Sequence, residues 1–174
     1  ESRAITSVQA VYVPADDFPD PSAVHVFGHL SASIVLSRDR ASQGLYPAID
    51  PLQSSSKLLT PNVVGQRHYS VARRVRETLA AYDDLSDVIA MLGMEELSKE
   101  DQLVVTRARR LERFLTQPFF VTEQFTDRSG RMVELEEALE GCERILADDL
   151  PDHGEGDFYM IGSLDDLANP GRRP

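Results

Sequence analysis

Cysteine and lysine are scarce in this 174-residue sequence: Cys142 is the single thiol, and Lys57 and Lys99 are the only lysines beside 16 arginines. One cysteine excludes an intramolecular disulfide and suits a reducing compartment. Leu135, Ala138, Leu139, Ile145 and Leu146 flank Cys142 at helical spacing, which marks it as a core position rather than a reactive thiol. Neither lysine follows a glycine, so these residues contain no G-x-x-x-x-G-K-[ST] loop, the usual cradle for nucleotide phosphates. No G-x-S-x-G elbow anchors acyl transfer. Apolar runs stop at about five residues, against the ~20 that span a bilayer. The opening ESRAITSVQ lacks a basic region followed by an apolar core, so no signal peptide is expected. Positive charge is outweighed: the net charge of -11 and pI near 4.7 argue against nucleic acid or an anionic membrane as a partner. These absences leave a soluble, cytosol-facing protein with no direct membrane insertion.

At 41% hydrophobic residues, the chain can build one or two compact domains. Its first part reads as short mixed elements. TSVQAVYV (6–13) and SASIVLS (31–37) have the richness of buried strands. PADDFPDP (14–21) is an acidic loop, and Asp20-Pro21 opens a short helix through about Leu30. RDRASQG (38–44) is a brief helix or turn closed by Gly44. PLQSSSKLLTPNVVGQR (51–67) has the composition of a connector. Beyond it the period becomes helical. Ala72, Val75, Leu79, Tyr82, Leu85, Ile89 and Leu92 predict a helix over 67–92 that ends at Gly93. Ser98 and Asp101 form a capping box for a second helix, with Val104, Ala108, Leu111 and Leu115 inward and Arg107, Arg109, Arg110 and Arg113 as a solvated face. Pro118 stops it. An aromatic loop (119–131) turns at Gly130, a third helix covers about 134–147, and short helical pieces follow at DFYMI and LDDLA. The fold class is thus α+β, with strands first and an all-α part after them.

Chemistry is thinly marked. His25 and His29 are four apart but flank Gly28 without further ligands nearby, and His68 and His153 are isolated, so no metal site is expected. Asp16, Asp17 and Asp20 read as loop acids that cap their own backbone. The turn EELSKED (95–101) reads as helix punctuation. Tyr46 precedes Pro47, which holds its backbone extended, and Phe119 and Phe125 lie in a loop. Loop aromatics of this kind either stack a flat ring or anchor a core. Residues alone leave both open.

In combination, ITSVQAVYVPADD, VLSR, LYPAIDPLQSSS, DVIAMLGMEELSKED, RARRLERFLTQPF and FYMIG resemble, in order and spacing, the catalytic beta subunit of rotary F-type ATP synthases. The resemblance runs from about Ile5 to Leu167. HLSAS and TQPFF are most similar to its alternate, sodium-pumping bacterial branch. It implies the last strands of a P-loop-type nucleotide-binding domain over residues 1–64 and a C-terminal helical domain over 65–174. It also implies that the phosphate loop, catalytic glutamate and magnesium-orienting aspartate lie upstream, residue 1 being a boundary rather than a biological start. No catalytic residue is then expected here.

The same resemblance implies roles by position. Tyr46 matches the tyrosine that stacks on adenine, with Phe119, Thr122 and Phe125 completing the pocket; many members carry alanine at the position of Thr122. Tyr12 matches a tyrosine near the catalytic site. Tyr69 and Arg73 match positions reaching the non-catalytic nucleotide on an alpha subunit. Asp17 and Asp20 match loop acids that catch the rotor, with Pro19 replacing a usual threonine. Glu95, Glu96, Leu97, Ser98, Lys99, Glu100 and Asp101 match the D-E-L-S-E-E-D turn facing the rotor, Lys99 lowering its charge from -5 to -3. The implied partners are alpha subunits in an alternating hexameric ring and the gamma rotor subunit. The implied ligands are ATP or ADP with Mg2+ in the full subunit, and the implied place is the cytoplasmic face of the bacterial plasma membrane, peripherally, in a complex coupling ATP synthesis or hydrolysis to H+ or Na+ movement. A stand-alone adenine-nucleotide-binding or scaffold module, and a regulatory nucleotide sensor, are the competing readings.

Overall fold

Apolar residues recurring every three or four positions build a helical body whose centre is shared by three helices. The computed structural model describes residues 5–13, 25 and 27–168. The early elements are β1 (Ala32–Ser33), α1 (Arg38–Ser42), β2 (Ser55–Ser56) and α2 (Pro61–Val64). The helical body comprises α3 (Gln66–Leu92), α4 (Lys99–Phe114), α5 (Glu123–Thr126), α6 (Leu135–Leu146) and α7 (Asp165–Ala168). Single 3-10 turns cover Met94–Glu96, Phe120–Thr122 and Glu155–Phe158.

Helix α3 runs between two glycines in left-handed backbone, Gly65 (φ 83°) and Gly93 (φ 88°). Both positions suit a residue without Cβ. At 27 residues it is about 40 Å long. Its buried stripe is Val71, Val75 and Leu79, one residue before the expected Ala72, while Leu92 is exposed. Helix α4 contributes Ala108, Leu111 and Phe114; its inward side also includes Val105, and the expected Leu115 lies outside. Helix α6 supplies Leu139, Cys142, Ile145 and Leu146, with Leu135 exposed. Burying Leu111 and Ile145 completely contributes about 1.5–3 kcal/mol each.

The core is completed by Leu150, Phe158, Ile161 and Leu167 from the last described segment, so the short pieces after α6 belong to the packed interior. Arginines seat that segment. Arg110 is only 9% exposed and donates to the His153 carbonyl at 2.8 Å. Arg107 forms a bidentate pair with Asp148, and Arg131 reaches Asp166 at 2.5 Å. The expectation of a solvated arginine face on α4 is therefore corrected. Guanidinium groups cover apolar surface with their stems while their forks satisfy carboxylates and carbonyls, so the face is occupied by protein.

The strand readings are reduced as well. β1 and β2 pair antiparallel, Ala32 against Ser56 and Ser33 against Ser55, and Leu36 bridges Ile49. Residues 5–13 form no strand, and Ile5, Val8 and Tyr12 are exposed. No described segment pairs with their backbone, and a strand exists only with a neighbour. The connector 51–67 is tied down rather than free. Arg76 of α3 donates to the carbonyls of Pro51 (2.6 Å), Ser54 (2.7 Å) and Leu52 (3.0 Å).

Candidate functional site

The loop bearing Tyr46 is built by local chemistry and then pinned to the helical body. Ser37 caps α1 by accepting from the Arg40 amide, and Gly44 turns the chain at φ 74°. Leu45 is buried beneath the turn. Tyr46, joined to Pro47 by a cis peptide, is 45% exposed. Its carbonyl accepts from the Gln117 amide at 2.8 Å, and the Gln117 side chain donates to the Arg131 carbonyl. Gln117 stands two residues before Phe119, which is 37% exposed. One backbone hydrogen bond therefore brings the Tyr46 loop beside the aromatic loop across 71 residues of sequence. Arg40 adds an ion pair to Glu112 of α4 at 2.6 Å.

The aromatic loop is compact. The Thr122 hydroxyl donates to the Phe119 carbonyl at 3.0 Å, and the Glu123 carboxylate accepts from the Gly130 amide at 2.6 Å. The expected turn at Gly130 is corrected: Asp127 holds the left-handed conformation (φ 53°). Gly130 serves close packing, because a Cβ there would sit 2.3 Å from the Phe120 amide nitrogen. Phe125 lies on α5, with its side chain outside the described set. Gln117 escaped the sequence reading because a glutamine before a proline carries no signature.

Tyr12 is 78% exposed, in a segment without regular structure. Tyr69 and Arg73 are one turn apart on α3, and Arg73 donates to Glu77 at 2.8 Å. That hydrogen bond, helped by the Glu77 charge, raises the Arg73 guanidinium above its ordinary range. Asp17 and Asp20 lie outside the described residues.

The EELSKED turn stands at the far end of α3. After Gly93, the 3-10 turn exposes Glu95 and Glu96, and Ser98, Lys99 and Glu100 are exposed at the start of α4. Leu97 is 9% exposed, so it anchors the turn from inside. Ser98 accepts from the Asp101 amide at 3.1 Å, and its hydroxyl donates to the Asp101 carboxylate at 2.7 Å. The reciprocal half of a capping box is replaced. Aspartate, one methylene shorter than glutamate, takes the Ser98 hydroxyl instead of its backbone N–H. Gln102 then donates to the carbonyls of both Met94 (3.2 Å) and Leu97 (3.0 Å), fixing the turn from beneath.

Two family models match this chain. One, described as the ATP synthase alpha/beta family, nucleotide-binding domain, matches residues 1–56. The other, described as the C-terminal domain of V and A type ATP synthase, matches residues 58–148, more than half of the chain. The chain belongs to the ATP synthase family. It is 69% identical over 172 residues to ATP synthase subunit beta 1 of Marinomonas sp. (strain MWYL1), covering 99% of this chain and 35% of that protein. It is 66% identical over 174 residues to ATP synthase subunit beta 2 of Albidiferax ferrireducens, covering 100% of this chain and 34% of that protein. This ATP synthase family chain thus spans about a third of the length of the curated relatives it matches. Among solved structures, it is similar to the ATP synthase subunit NeqB from Nanoarcheaum equitans, with a TM-score of 0.66 and 26% identity, covering 78% of this chain and 34% of that one. EscN, the ATPase of the enteropathogenic E. coli type III secretion system, shares the fold at a TM-score of 0.61 and 22% identity. The fold class expected from sequence, a remnant of strands followed by an all-helical domain, agrees with these matches.

Proposed function

We propose that this chain is the C-terminal part of a catalytic beta subunit of an F-type ATP synthase, contributing an adenine clamp and a rotor-facing lever. One observation carries the reading: the Gln117–Tyr46 hydrogen bond joins the tyrosine loop to the aromatic loop, with both rings part-exposed. Tyr46 stacks on adenine, and Phe119, Thr122 and Phe125 close the pocket. Tyr12 stands near the catalytic centre, and Tyr69 with Arg73 reaches the nucleotide of a neighbouring alpha subunit. Residues 1–64 belong to the nucleotide-binding domain and 65–174 to the helical domain, which opens at Gly65, the residue before α3.

In the whole assembly, alpha and beta subunits alternate in a ring around the gamma rotor at the cytoplasmic face of the membrane. Among the described residues no helix is long and apolar enough to cross a membrane. Nucleotide closure swings the helical body, and α3 carries that motion to the exposed carboxylates of Glu95, Glu96 and Glu100. Asp17 and Asp20 supply further rotor contacts. HLSAS and TQPFF favour the alternate, sodium-pumping bacterial branch. Ion choice, H+ or Na+, belongs to the membrane subunits.

ATP or ADP is the ligand, accompanied by Mg2+ in the full subunit. Among the described residues no group of three His, Cys, Asp or Glu side chains is placed to hold a metal. Stacking on a base contributes about 1–3 kcal/mol, whereas a millimolar complex needs about 4 kcal/mol. These 174 residues alone are therefore expected to bind ATP more weakly than about millimolar and not to hydrolyse it. A coupled-enzyme assay on this chain checks the claim, and magnesium-dependent turnover rejects it.

A further inference from the structure

The FYMIG motif (158–162) has no task in the reading above, yet its tyrosine reaches the candidate pocket. The Tyr159 hydroxyl donates to the Gly44 carbonyl at 2.8 Å. Gly44 is two residues before Tyr46, and its φ of 74° makes the turn depend on glycine and on what holds its carbonyl. Two guanidinium groups pack on the Tyr159 ring, Arg113 at 5.3 Å and Arg128 at 5.7 Å from its centroid. The backbone is fixed on the next residue: the Met160 amide donates to the Thr116 hydroxyl at 2.9 Å, and that hydroxyl donates to the Arg113 carbonyl at 2.5 Å. Thr116 is buried and adjoins Gln117, which holds the Tyr46 carbonyl. The tyrosine turn is thus gripped at two carbonyls, Gly44 and Tyr46, by one continuous set of partners on the helical body.

We propose that Tyr159 is a positioning residue for adenine recognition, setting the Tyr46 ring through the Gly44 carbonyl. The inference rests on the adenine-clamp reading of Tyr46. Tyr159 touches no ligand itself; it restricts the turn so that the stacking ring is already oriented when the base arrives.

The test measures binding of ATP and of inorganic tripolyphosphate by the full-length protein in its complex, for wild type, Tyr159→Phe, Tyr46→Ala and the double variant. Phenylalanine keeps the ring under Arg113 and Arg128 and removes only the hydroxyl, and a melting temperature confirms folding. Loss of one hydrogen bond should weaken ATP binding about 2- to 10-fold. Tripolyphosphate, having no base, should be unaffected, and the Tyr159 effect should vanish in the Tyr46→Ala background. An equal loss for both ligands would make Tyr159 merely structural and overturn the proposal. So would an unchanged Tyr159→Phe beside a weakened Tyr46→Ala, which leaves the clamp standing. If Tyr46→Ala itself spares ATP binding, the clamp reading fails and takes this inference with it.

Discussion

Arg40 and Glu112 form an ion pair at 2.6 Å between α1 and α4, with both side chains largely covered. Burial pushes the Glu112 carboxyl above its ordinary value of 4.5, against the opposing pull of Arg40. The folded state consequently holds this proton to higher pH than the unfolded chain. The associated stability is present below pH 4.5 and is lost as pH rises through the raised value. Melting curves across that interval should show wild type losing stability relative to Glu112→Gln. Glu112→Ala, which strands the guanidinium, should cost about 1–3 kcal/mol. A flat difference between wild type and the glutamine variant would contradict the assignment.

Arg76 should be the clasp of the connector. Arg76→Met removes three hydrogen bonds to the carbonyls of Pro51, Leu52 and Ser54. We expect a loss of about 2–4 kcal/mol in denaturant unfolding and faster amide exchange in residues 51–57. Lysine should not substitute, because a point charge cannot reach three carbonyls as a planar fork does. Unchanged exchange would reject the clasp.

Gly141 sits mid-helix in α6, where alanine normally gains about 1 kcal/mol. A Cβ here would lie 2.0 Å from the tip of the Phe114 ring. Gly141→Ala should therefore destabilise by about 1–3 kcal/mol, and Phe114→Leu in the same chain should recover part of the loss. Stabilisation by alanine alone would show that the ring yields freely.

Burial raises the Cys142 thiol to about 12, with the Glu143 charge adding to it. At pH 8 the thiolate is then only about one part in ten thousand. A thiol reagent should label the folded chain at the rate of its opening and label the denatured chain at once. Rapid labelling of the native protein would contradict the core placement.

For the 95–101 turn, we hypothesise that its bulk matters more than its charge, since Lys99 already offsets one of four carboxylates and Leu97 anchors it from within. Changing Glu95, Glu96, Glu100 and Asp101 to alanine should leave rotary torque in the assembled complex largely intact. Gln102→Ala, which frees the carbonyls of Met94 and Leu97, should reduce it. Collapse of torque in the fourfold variant would sink the idea.

Helices α3, α4 and α6 were legible in the residues, because amphipathic periods and glycine stops are local signals. Their registers were less so: Val71 rather than Ala72 faces inward, a choice made by neighbouring helices. The strands were over-read, since TSVQAVYV has strand composition but no described partner. Tyr46 and Phe119 are proposed as site residues from resemblance, while the groups that hold their loops were not legible at all. Gln117, Tyr159 and Arg76 act through backbone carbonyls, and an acceptor present at every residue leaves no trace in side-chain pattern. The arginines of α4 were misjudged for a related reason, although 16 arginines against two lysines was itself a hint that these cations are built into the structure.

That imbalance has a further consequence at high pH. A clasp made from ammonium groups would release its carboxylates near pH 10.4, where lysine loses its proton. Arg107, raised above its ordinary range by its hydrogen bonds to Asp148, stays cationic beyond that point. The turn at Asp148, from which the last described segment departs, is therefore fastened in a way that alkalinity does not undo.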